Sequence, residues 1–438
     1  MPLVVGIRRE DKNKWEGRIP LTPADIADLS QRHGLQFIVQ PSTIRAFADD
    51  EFREAGIRVE EDLGPAGLVL AVKEIPTELL RPDKRYLYFA HVIKGQPYNM
   101  PMLRRLLELN CTMLDYERIV DEQGRRLIFF GVQAGHAGMI ETLWCLGRRL
   151  ESRGIQTPLT AVRHAYEYDD LAAAKSHIRE IGERIDRGAL DDALRPLVFG
   201  VAGYGNVSRG AQEILDCFPI REVAVEELPT AARRGASGGD PLVKVVFKEE
   251  HLVRPVEPGA PFELQDYYDH PERYQGCFDR HLPHLDVLVN TIYWTERYPR
   301  LVTREWARQN FDGERSARLQ VIGDISCDIE GSIEFTLKVT EPDAPCFVYD
   351  PRSNTVAMGC DGPGPAVMAV DNLPSEMPRE ASQHFSNGLR EIVPTLAETD
   401  WSVGFEALDL PHHLKTAVIT HHGRLTPEYA YLKEHLKD

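Results

Sequence analysis

The chain has 438 residues, more than one typical domain, and its 42% hydrophobic and 27% charged residues are ordinary for a globular protein. Its formal charge of −17 makes nucleic acids and anionic membrane surfaces poor partners. No apolar run approaches the roughly 20 residues of a membrane span, and no signal-like segment opens the chain, so we expect a cytoplasmic protein. Seven cysteines without a C-x-x-C pair predict neither a disulfide framework nor a metal site.

The first 140 residues alternate between short apolar runs and helical patterns. Thr22 followed by Pro23 predicts a helix start, and Gly34 predicts its end. Further helices are predicted over 50–56 and 102–110, between strands over 3–7, 35–40, 68–72, 86–90 and 112–114. This alternation predicts a mostly parallel sheet with helices on its faces.

The remainder of the chain continues the same pattern with one break. Helices are predicted over 138–153, 168–187, 211–216 and 378–393, and strands over 197–201, 222–225, 287–290, 319–322 and 346–349. The segment 229–282 is rich in glycine, proline and tyrosine, and we interpret it as an insertion with long loops. Four cysteines in apolar surroundings are interpreted as buried small hydrophobes: Cys111, Cys145, Cys217 and Cys327.

A glycine-rich turn follows the predicted strand 197–201. Gly203 and Gly205 stand where a dinucleotide-binding turn needs glycine, first for a tight bend and then for close approach of the backbone to the pyrophosphate. Asn206, Val207 and Ser208 open the helix, whose N–H groups and positive dipole end would meet the phosphates. Ser208 replaces the third glycine. We favour a dinucleotide site over a tight turn without a ligand.

The residues after this turn leave the choice of cofactor open. Glu226 lies 21 positions after Gly205, at the end of the next predicted strand, where an acid would bind the adenosine ribose. An acid favours NAD(H), whereas Arg233 and Arg234 nearby favour NADP(H). A solvated strand end is an equally good interpretation of Glu226.

Two later strands of this domain also end in polar residues. Asn290 ends the predicted strand 287–290, and Asp324 and Asp328 follow 319–322. We expect all three to face the cofactor at the carboxyl edge of a parallel sheet. Turn and cap formation is the alternative role for the aspartates.

Charged side chains follow the predicted strands of the first domain. They are Arg8, Arg9, Glu10, Glu16 and Arg18, then Lys73 and Glu74, His91, and finally Asp115 and Glu117. In a parallel sheet these residues share one edge. Crowded charges and partial burial bring lysine and histidine pKa values towards neutrality, so the set predicts an acid–base site. Taken singly, Lys73 is an ordinary solvated lysine and His91 an ordinary core histidine.

Several segments resemble one family closely. The chain resembles the lysine–2-oxoglutarate reductase part of the bifunctional aminoadipic semialdehyde synthases of animals and plants. The segments that carry this resemblance are Gly-Ile-Arg-Arg-Glu-Asp, Phe-Ala-His-Val-Ile-Lys-Gly-Gln, Gly-Asn-Val-Ser-Arg-Gly-Ala-Gln and Asp-Ile-Ser-Cys-Asp-Ile-Glu-Gly. The resemblance runs from about residue 4 to about residue 430. Lysine-forming saccharopine dehydrogenases and alanine dehydrogenases resemble the chain more distantly.

The resemblance implies an α/β fold of two Rossmann-like domains with parallel sheets, the first of them discontinuous. On this basis residues 1–138 and 378–438 are assigned to a substrate or catalytic domain. Residues 139–377 are assigned to a dinucleotide-binding domain that carries the insertion at about 229–282.

The family reaction implied is the joining of the ε-amine of L-lysine to 2-oxoglutarate and reduction of the imine to saccharopine by NAD(P)H, reversibly. By family pattern the acid–base pair is Lys73 and His91, and the substrate carboxylates are bound by Arg18 and Arg126. The acidic positions that tune the pair or meet ammonium groups are Glu16, Glu74 and Glu117. The residue near the nicotinamide is Asp328. The resemblance alone favours NADP(H), with NAD(H) left possible.

Three alternatives stay open at this point. An alanine-dehydrogenase-like oxidative deaminase needs only one carboxylate clamp, and an opine-type dehydrogenase would use another amine. A catalytically inactive nucleotide-binding regulator would not need Lys73, His91 and Asp328 together. The expected partners are the small substrates lysine, 2-oxoglutarate and saccharopine, and a homo-oligomer is left open.

Overall fold

The computed structural model describes residues 4–234, 240–311 and 317–436. The chain forms two compact units: unit 1 comprises Met1–Phe130 and Pro378–Asp438, and unit 2 comprises Gly131–Met377. The boundary predicted at 138/139 lies eight residues after the observed boundary at 130/131, inside a helix that begins at Gly131.

The strands are short and are mostly buried. In chain order they are β1 (Val4–Ile7), β2 (Gln36–Val39), β3 (Arg58–Val59), β4 (Leu68–Leu70), β5 (Arg85–Tyr88), β6 (Thr112–Asp115), β7 (Leu197–Ala202), β8 (Arg221–Glu222), β9 (Leu242–Phe247), β10 (Val253–Pro255), β11 (Tyr274–Gly276), β12 (Val287–Asn290), β13 (Val321–Asp324), β14 (Cys346–Asp350), β15 (Thr355–Met358), β16 (Ala366–Met368), β17 (Val418–His421) and β18 (Arg424–Leu425).

The α-helices flank these strands. In chain order they are α1 (Pro23–His33), α2 (Asp49–Glu54), α3 (Met100–Glu108), α4 (Gly131–Ser152), α5 (Leu171–Arg184), α6 (Asn206–Leu215), α7 (Leu228–Ala231), α8 (Glu249–Leu252), α9 (Leu264–Asp269), α10 (Arg304–Asn310), α11 (Pro378–Leu389), α12 (Val393–Glu398) and α13 (His412–Lys415). No helix in the described ranges is both long and apolar enough to cross a membrane.

The first helix, α1, begins and ends at the residues that its local sequence predicts. Thr22 caps α1 by accepting the Asp25 backbone N–H, and Pro23 occupies the first turn. Gly34 follows the helix in the left-handed region, with φ 66°, a conformation that glycine adopts without a Cβ penalty. The start and the end predicted from the sequence are both confirmed.

Within the described residues, unit 1 contains a sheet with the strand order β18-β17-β6-β5-β4-β1-β2-β3. The strands from β6 to β3 are parallel, and β17 and β18 extend the sheet in antiparallel fashion from the C-terminal segment. A single apolar core packs against this sheet and includes residues of both chain segments. The predicted α/β class is confirmed.

Unit 2 contains a second sheet with the order β15-β14-β16-β13-β12-β7-β9-β8 in the described part of the chain. The strands from β16 to β8 are parallel, and β14 and β15 form an antiparallel edge. The chain runs from β7 to β8 and β9 on one side and then to β12 on the other. The strand order therefore reverses between β7 and β12, the place where such sheets bind ligands.

The interpretation of 229–282 as an insertion with long loops is wrong in one important respect. This segment contains β9, which lies between β7 and the short edge strand β8 and pairs with β7 along six residues. Lys244 interrupts the apolar run Leu-Val-Lys-Val-Val-Phe, and this charge hid the strand. The lysine is 3% exposed, and its ammonium pairs with Asp216 at 2.7 Å and Glu222 at 3.0 Å. Residues 235–239 of the segment lie outside the described residues.

Candidate active site

The charged residues predicted for one edge of unit 1 do follow neighbouring strands. β6, β5, β4 and β1 lie side by side and run in the same direction. Their carboxyl ends are followed by Glu117, His91, Lys73 with Glu74, and the loop that holds Glu16 and Arg18. The sheet thus places these side chains at one edge, while their chemical roles stay predictions.

Glu10 is a buried carboxylate that holds the backbone after β4. Its two oxygens accept the backbone N–H groups of Val72 at 2.6 Å and Lys73 at 3.0 Å. Burial and the negative charge of Glu16 raise the pKa of Glu10 to about 7. Glu10 therefore fixes the direction in which the chain leaves β4 and carries Lys73.

Lys73 has the properties of a proton-transfer lysine. Its side chain is half-buried, and its ammonium has no hydrogen-bond partner among the described residues. Burial, and then the positive charge of Arg18, lower the pKa of Lys73, although the charges of Glu16 and Glu74 oppose this shift. A lysine whose pKa is lowered loses its proton at a lower pH than a solvated lysine and can act as a base.

His91 is held by a carboxylate and by a constrained backbone. Its Nδ1 lies 2.6 Å from Glu74 Oε1, and its ring stacks on Phe89. Its φ of 48° lies in the left-handed region, and the Asn99 side chain donates to the carbonyls of Ala90 and His91 at 3.0 and 3.2 Å. Nε2 has no partner in the described part of the chain, so this nitrogen is the one available for proton transfer.

Glu74 connects His91 to a second cation. Its other oxygen, Oε2, accepts a hydrogen bond from Lys12 at 3.0 Å. Burial alone would raise the pKa of Glu74, but the hydrogen bond and charge of His91 outweigh burial and hold the pKa well below its usual range. Glu74 is therefore ionised and orients the imidazole ring.

Arg18 forms a buried, two-pronged ion pair with Glu16. Its Nε and Nη2 donate to the two carboxylate oxygens at 2.7 and 2.6 Å. The guanidinium carbon lies 4.4 Å from the centre of the Phe130 ring. A guanidinium locked on both sides has a fixed orientation, which suits recognition of a planar carboxylate.

Arg126 is far more accessible than Arg18. Its Nη2 donates to Glu117 at 2.7 Å, and its side chain is 53% exposed. The neighbouring Asp115 is fully buried and accepts the Glu117 backbone N–H at 2.9 Å. Burial and the charge of Glu117 raise the pKa of Asp115 to about 7. Its Oδ2 has no partner among the described residues, so Asp115 is a second protonatable carboxyl at this edge.

In unit 2, the predicted glycine-rich turn joins β7 to α6. Gly203 has a φ of 105°, which favours glycine, and a Cβ there would lie 2.8 Å from Thr291 Oγ1. A Cβ at Gly205 would meet no atom within 4 Å. Open space in front of the first turn of a ten-residue helix fits a pyrophosphate. Asn206, Val207 and Ser208 form that first turn, as predicted.

Ser208 replaces the third glycine without disturbing the turn. It is fully buried, and its hydroxyl donates to the Gly203 carbonyl at 2.7 Å and accepts from the Gln212 amide at 3.0 Å. Close packing depends instead on Gly210, where a Cβ would lie 2.0 Å from the Val132 carbonyl in α4. The imperfect motif is therefore compatible with a dinucleotide turn.

The structural premise for Glu226 as the ribose-binding acid is wrong. The predicted strand 222–225 is only the two-residue β8 at the sheet edge, and Glu226 lies exposed in the 3-10 turn that follows it. The strand beside β7 is β9, and the Phe247 carbonyl at its end accepts the Gly203 N–H at 2.9 Å. Lys248 and Glu249 come next, so they occupy the position expected to read the ribose.

Glu249 also contacts the glycine-rich turn. Its carboxylate accepts a hydrogen bond from the Tyr268 hydroxyl at 2.7 Å. A further hydrogen bond links it to the Tyr204 hydroxyl, and burial followed by the charge of Glu249 raises the pKa of Tyr204. Finding Glu249 required the strand order, because only the hidden strand β9 brings it beside the turn.

The three polar residues expected to face the cofactor have different environments. Asn290 and Asp324 are buried in one network, in which the Asn290 amide donates to Asp324 at 2.7 Å and to Ser332 at 2.8 Å. Thr336 also donates to Asp324, whose pKa is raised to about 6 by burial. These two side chains thus support the end of the sheet. Asp328 is exposed, four residues beyond the end of β13.

Family models match both ends of the chain. The alanine dehydrogenase/PNT N-terminal domain matches residues 6–137, and the alanine dehydrogenase/PNT C-terminal domain matches residues 270–428. Two solved structures share the fold: an L-alanine dehydrogenase has a TM-score of 0.61 at 16% identity, covering 99% of this chain and 100% of its own. A transhydrogenase from Sinorhizobium meliloti has a TM-score of 0.55 at 16% identity, covering 97% and 100%.

Curated relatives are more similar in sequence. The α-aminoadipic semialdehyde synthase of Arabidopsis thaliana is 38% identical over 98% of this chain and 41% of its own length, and the mitochondrial one of Rattus norvegicus is 34% identical over 98% and 48%. The chain therefore spans less than half the length of these relatives. The saccharopine dehydrogenase (NAD(+), L-lysine-forming) of Yarrowia lipolytica is 26% identical over 91% and 94%. The chain belongs to the alanine dehydrogenase/PNT family, and the curated relatives that it resembles are α-aminoadipic semialdehyde synthases and saccharopine dehydrogenases.

Proposed function

We propose that the chain is a nicotinamide-dependent oxidoreductase that joins the ε-amine of L-lysine to 2-oxoglutarate and reduces the imine to saccharopine, reversibly. The observation that carries this proposal is the edge of unit 1, where a lysine of lowered pKa lies beside a carboxylate-held histidine and a buried arginine. Such a combination suits an amine, a proton transfer and a carboxylate in one substrate. The name of the Yarrowia lipolytica relative, a lysine-forming saccharopine dehydrogenase, supports the same reaction.

The two proton transfers of the reaction are assigned to Lys73 and His91. Attack of the amine on the ketone requires removal of a proton from nitrogen, and the carbinolamine must then receive a proton on oxygen so that water can leave. Lys73 is the base because its pKa is lowered. His91, oriented through Nδ1 by Glu74, delivers the other proton from Nε2.

Arginines and acids of the same edge are assigned to the charged ends of the substrate. Saccharopine carries three carboxylates, and Arg18 and Arg126 are the proposed contacts for two of them. Glu16 and Glu117 keep these guanidinium groups oriented before the substrate binds. They also supply negative charge for a substrate ammonium group.

The cofactor is assigned to the turn of Gly203 and Gly205 and the first turn of α6. When bound there, the nicotinamide supplies the hydride that reduces the imine. Asp328 is the proposed residue near the nicotinamide. NADP(H) is proposed on the resemblance to the family, whereas an acid at Glu249 favours NAD(H). We propose that the residue that distinguishes NAD(H) from NADP(H) is Glu249 rather than Glu226.

One assay tests the reaction class. Oxidation of NADPH and of NADH is followed with lysine plus 2-oxoglutarate, with pyruvate plus ammonia, and with neither. We expect turnover only with the first pair, and a panel of other amines checks the choice of lysine. Turnover with pyruvate and ammonia would identify an oxidative deaminase instead, and cofactor binding without any turnover would identify a regulator.

A matched pair of variants tests the carboxylate contact. Arg126→Gln should raise the KM for 2-oxoglutarate by about tenfold or more, the usual effect of losing a hydrogen bond to a charged group. Arg125→Gln is the control, because Arg125 is 77% exposed and pairs with Asp121. Equal KM values in the two variants would contradict the role of Arg126.

A further inference from the structure

Three cysteine side chains of unit 2 meet although they lie far apart in the chain. Cys145 belongs to α4, Cys346 begins β14, and Cys360 follows β15. The sulfur of Cys360 lies 2.8 Å from that of Cys346 and 3.9 Å from that of Cys145, and all three sulfurs lie within 4.8 Å of one another. No local C-x-x-C spacing exists, which is why the sequence predicted only a buried hydrophobe at Cys145.

The spacing of these sulfurs matches thiolate coordination of one ion. Zn²⁺ binds thiolates at about 2.3 Å in tetrahedral geometry, so bound sulfurs lie about 3.8 Å apart. The separation of Cys360 and Cys145 is close to that value, whereas the sulfurs of Cys360 and Cys346 would have to move apart by about 1 Å to bind the same ion. Cys145 lies in a helix and Cys346 in a strand, whereas Cys360 lies in the bend two residues after β15.

A buried arginine beside the cluster provides independent evidence for negative charge. Arg149 is fully buried, and its terminal nitrogens donate to the backbone carbonyls of Cys360 at 2.8 Å and Gly364 at 2.5 Å. Its Nε has no acceptor among the described residues, and no carboxylate there is hydrogen-bonded to the guanidinium, although the charge of Asp361 acts on it. A buried guanidinium without a hydrogen-bonded anion is costly, so a second negative group is expected nearby.

We propose that Cys145, Cys346 and Cys360 form a three-thiolate site for a thiophilic divalent metal ion, with Zn²⁺ as the ion bound. Three thiolates and one Zn²⁺ carry a net charge of −1, which the positive charge of Arg149 balances. Cys360 is partly exposed, so water completes the coordination from that side. The bound ion ties the hairpin of β14 and β15 to α4.

Cobalt absorption tests the ligands directly. The 438-residue chain, kept reduced, is titrated with Co²⁺ and then with Zn²⁺. We expect one equivalent of Co²⁺ per chain, thiolate-to-cobalt charge-transfer absorption, and loss of that absorption when Zn²⁺ displaces the cobalt. Cys346→Ser and Cys360→Ser should each abolish the absorption. Cys217→Ser is the matched control, since Cys217 is a half-buried thiol of unit 2 outside the cluster.

A second measurement covers the case in which a variant does not fold. Thermal unfolding of the unmodified chain is compared in Zn²⁺ and in chelator. At free Zn²⁺ about 100 times its Kd, Tm should rise by roughly 3–5 °C. The proposal is overturned if the reduced chain shows no thiolate–cobalt absorption and no such rise. It is equally overturned if Cys346 and Cys360 form a disulfide by mass spectrometry and the reduced chain takes up no Zn²⁺.

Discussion

The carboxyl edges of the two parallel sheets are built in opposite ways. In unit 1 the edge consists of charged side chains, including Lys73 with a lowered pKa and two carboxyls, Glu10 and Asp115, with pKa values of about 7. In unit 2 the glycine-rich turn offers backbone, with an open glycine at 205, and the carboxylate of Asp324, whose pKa is raised to about 6, accepts hydrogen bonds from Asn290 and Thr336. One edge is suited to moving protons, and the other is suited to holding a ligand.

This difference has a physical reason. Proton transfer needs groups that change charge, and crowding and burial bring their pKa values into the working range at some cost in stability. Phosphate binding needs fixed N–H donors and space, which a helix N-terminus and glycine provide without titratable groups. Substitutions at the first edge should therefore change kcat, and substitutions at the second should change cofactor affinity.

The strongest test of the comparison lies in unit 1. Lys73→Met and His91→Gln should each lower kcat by about 10²–10⁴, the usual contribution of general acid–base catalysis. Cofactor affinity, measured by fluorescence titration, should stay unchanged. Because the pKa of Lys73 is lowered and its neutral form is the proposed base, kcat/KM should rise as pH increases through that pKa, and in Lys73→Met this limb should vanish.

Lys84→Met is the matched control for that experiment. Burial lowers the pKa of Lys84 too, but this lysine precedes β5 at the other end of the strands and donates to the Gly64 and Ala66 carbonyls. We expect parent-like kcat in the folded fraction.

The double variant of Lys73 and His91 should lose much less than the product of the single effects, because the two residues act as one unit. A parent-like kcat in Lys73→Met would contradict the proposed role of Lys73 as a base.

The corresponding test in unit 2 is Gly205→Asp. Two like charges 4 Å apart repel by about 4 kcal/mol at an effective dielectric constant of 20, so cofactor affinity should fall by about a hundredfold or more. Gly404→Asp is the control, since a Cβ at Gly404 also meets no atom within 4 Å and its φ is ordinary. Unchanged affinity in Gly205→Asp would show that this turn binds no pyrophosphate.

The two edges also differed in how far the sequence predicted them. At the unit 1 edge, strand ends alone identified Lys73, Glu74, His91 and Glu117, because the residues after neighbouring parallel strands all lie at the same edge of the sheet. No pattern in the chain indicated that Glu10 would hold the Val72 and Lys73 backbone, or that Asn99 would fix the carbonyl of His91. Such contacts depend on side-chain directions that no spacing reveals.

At the unit 2 edge, the turn itself was predictable but its neighbour was not. Glu226 comes after the next strand in the chain, yet the next strand in space is β9, which was interpreted as part of an insertion. The buried charge of Lys244 broke the apolar pattern, and its partners Asp216 and Glu222 come from other elements. Helix and strand positions depend on local pattern, whereas strand order depends on long-range packing.

A pair of variants distinguishes these two acids. Glu249→Ala should lower kcat/KM for NADH relative to NADPH by about 10- to 100-fold, the effect of losing a charged hydrogen bond to the ribose and of removing repulsion from a 2′-phosphate. Glu226→Ala should leave the ratio unchanged, because this exposed residue does not follow β9. A change confined to Glu226→Ala would restore the interpretation drawn from the sequence.

The smallest expected effect concerns the serine that replaces a glycine in the turn. Ser208→Ala removes the hydroxyl that donates to the Gly203 carbonyl at 2.7 Å, a bond with a net contribution of about 1 kcal/mol. If that bond holds the turn in its binding conformation, cofactor Kd should rise about fivefold and the free energy of unfolding should fall. Ser375→Ala is the matched control, since its hydroxyl also donates to a backbone carbonyl in unit 2, that of Asn372, at 2.7 Å. It should lose similar stability without a change in Kd. Equal Kd values in the two variants, measured by cofactor fluorescence, would mean that the glycines and the helix N-terminus hold the cofactor without help from this side chain, so that the unit 2 edge depends on backbone even more completely than proposed.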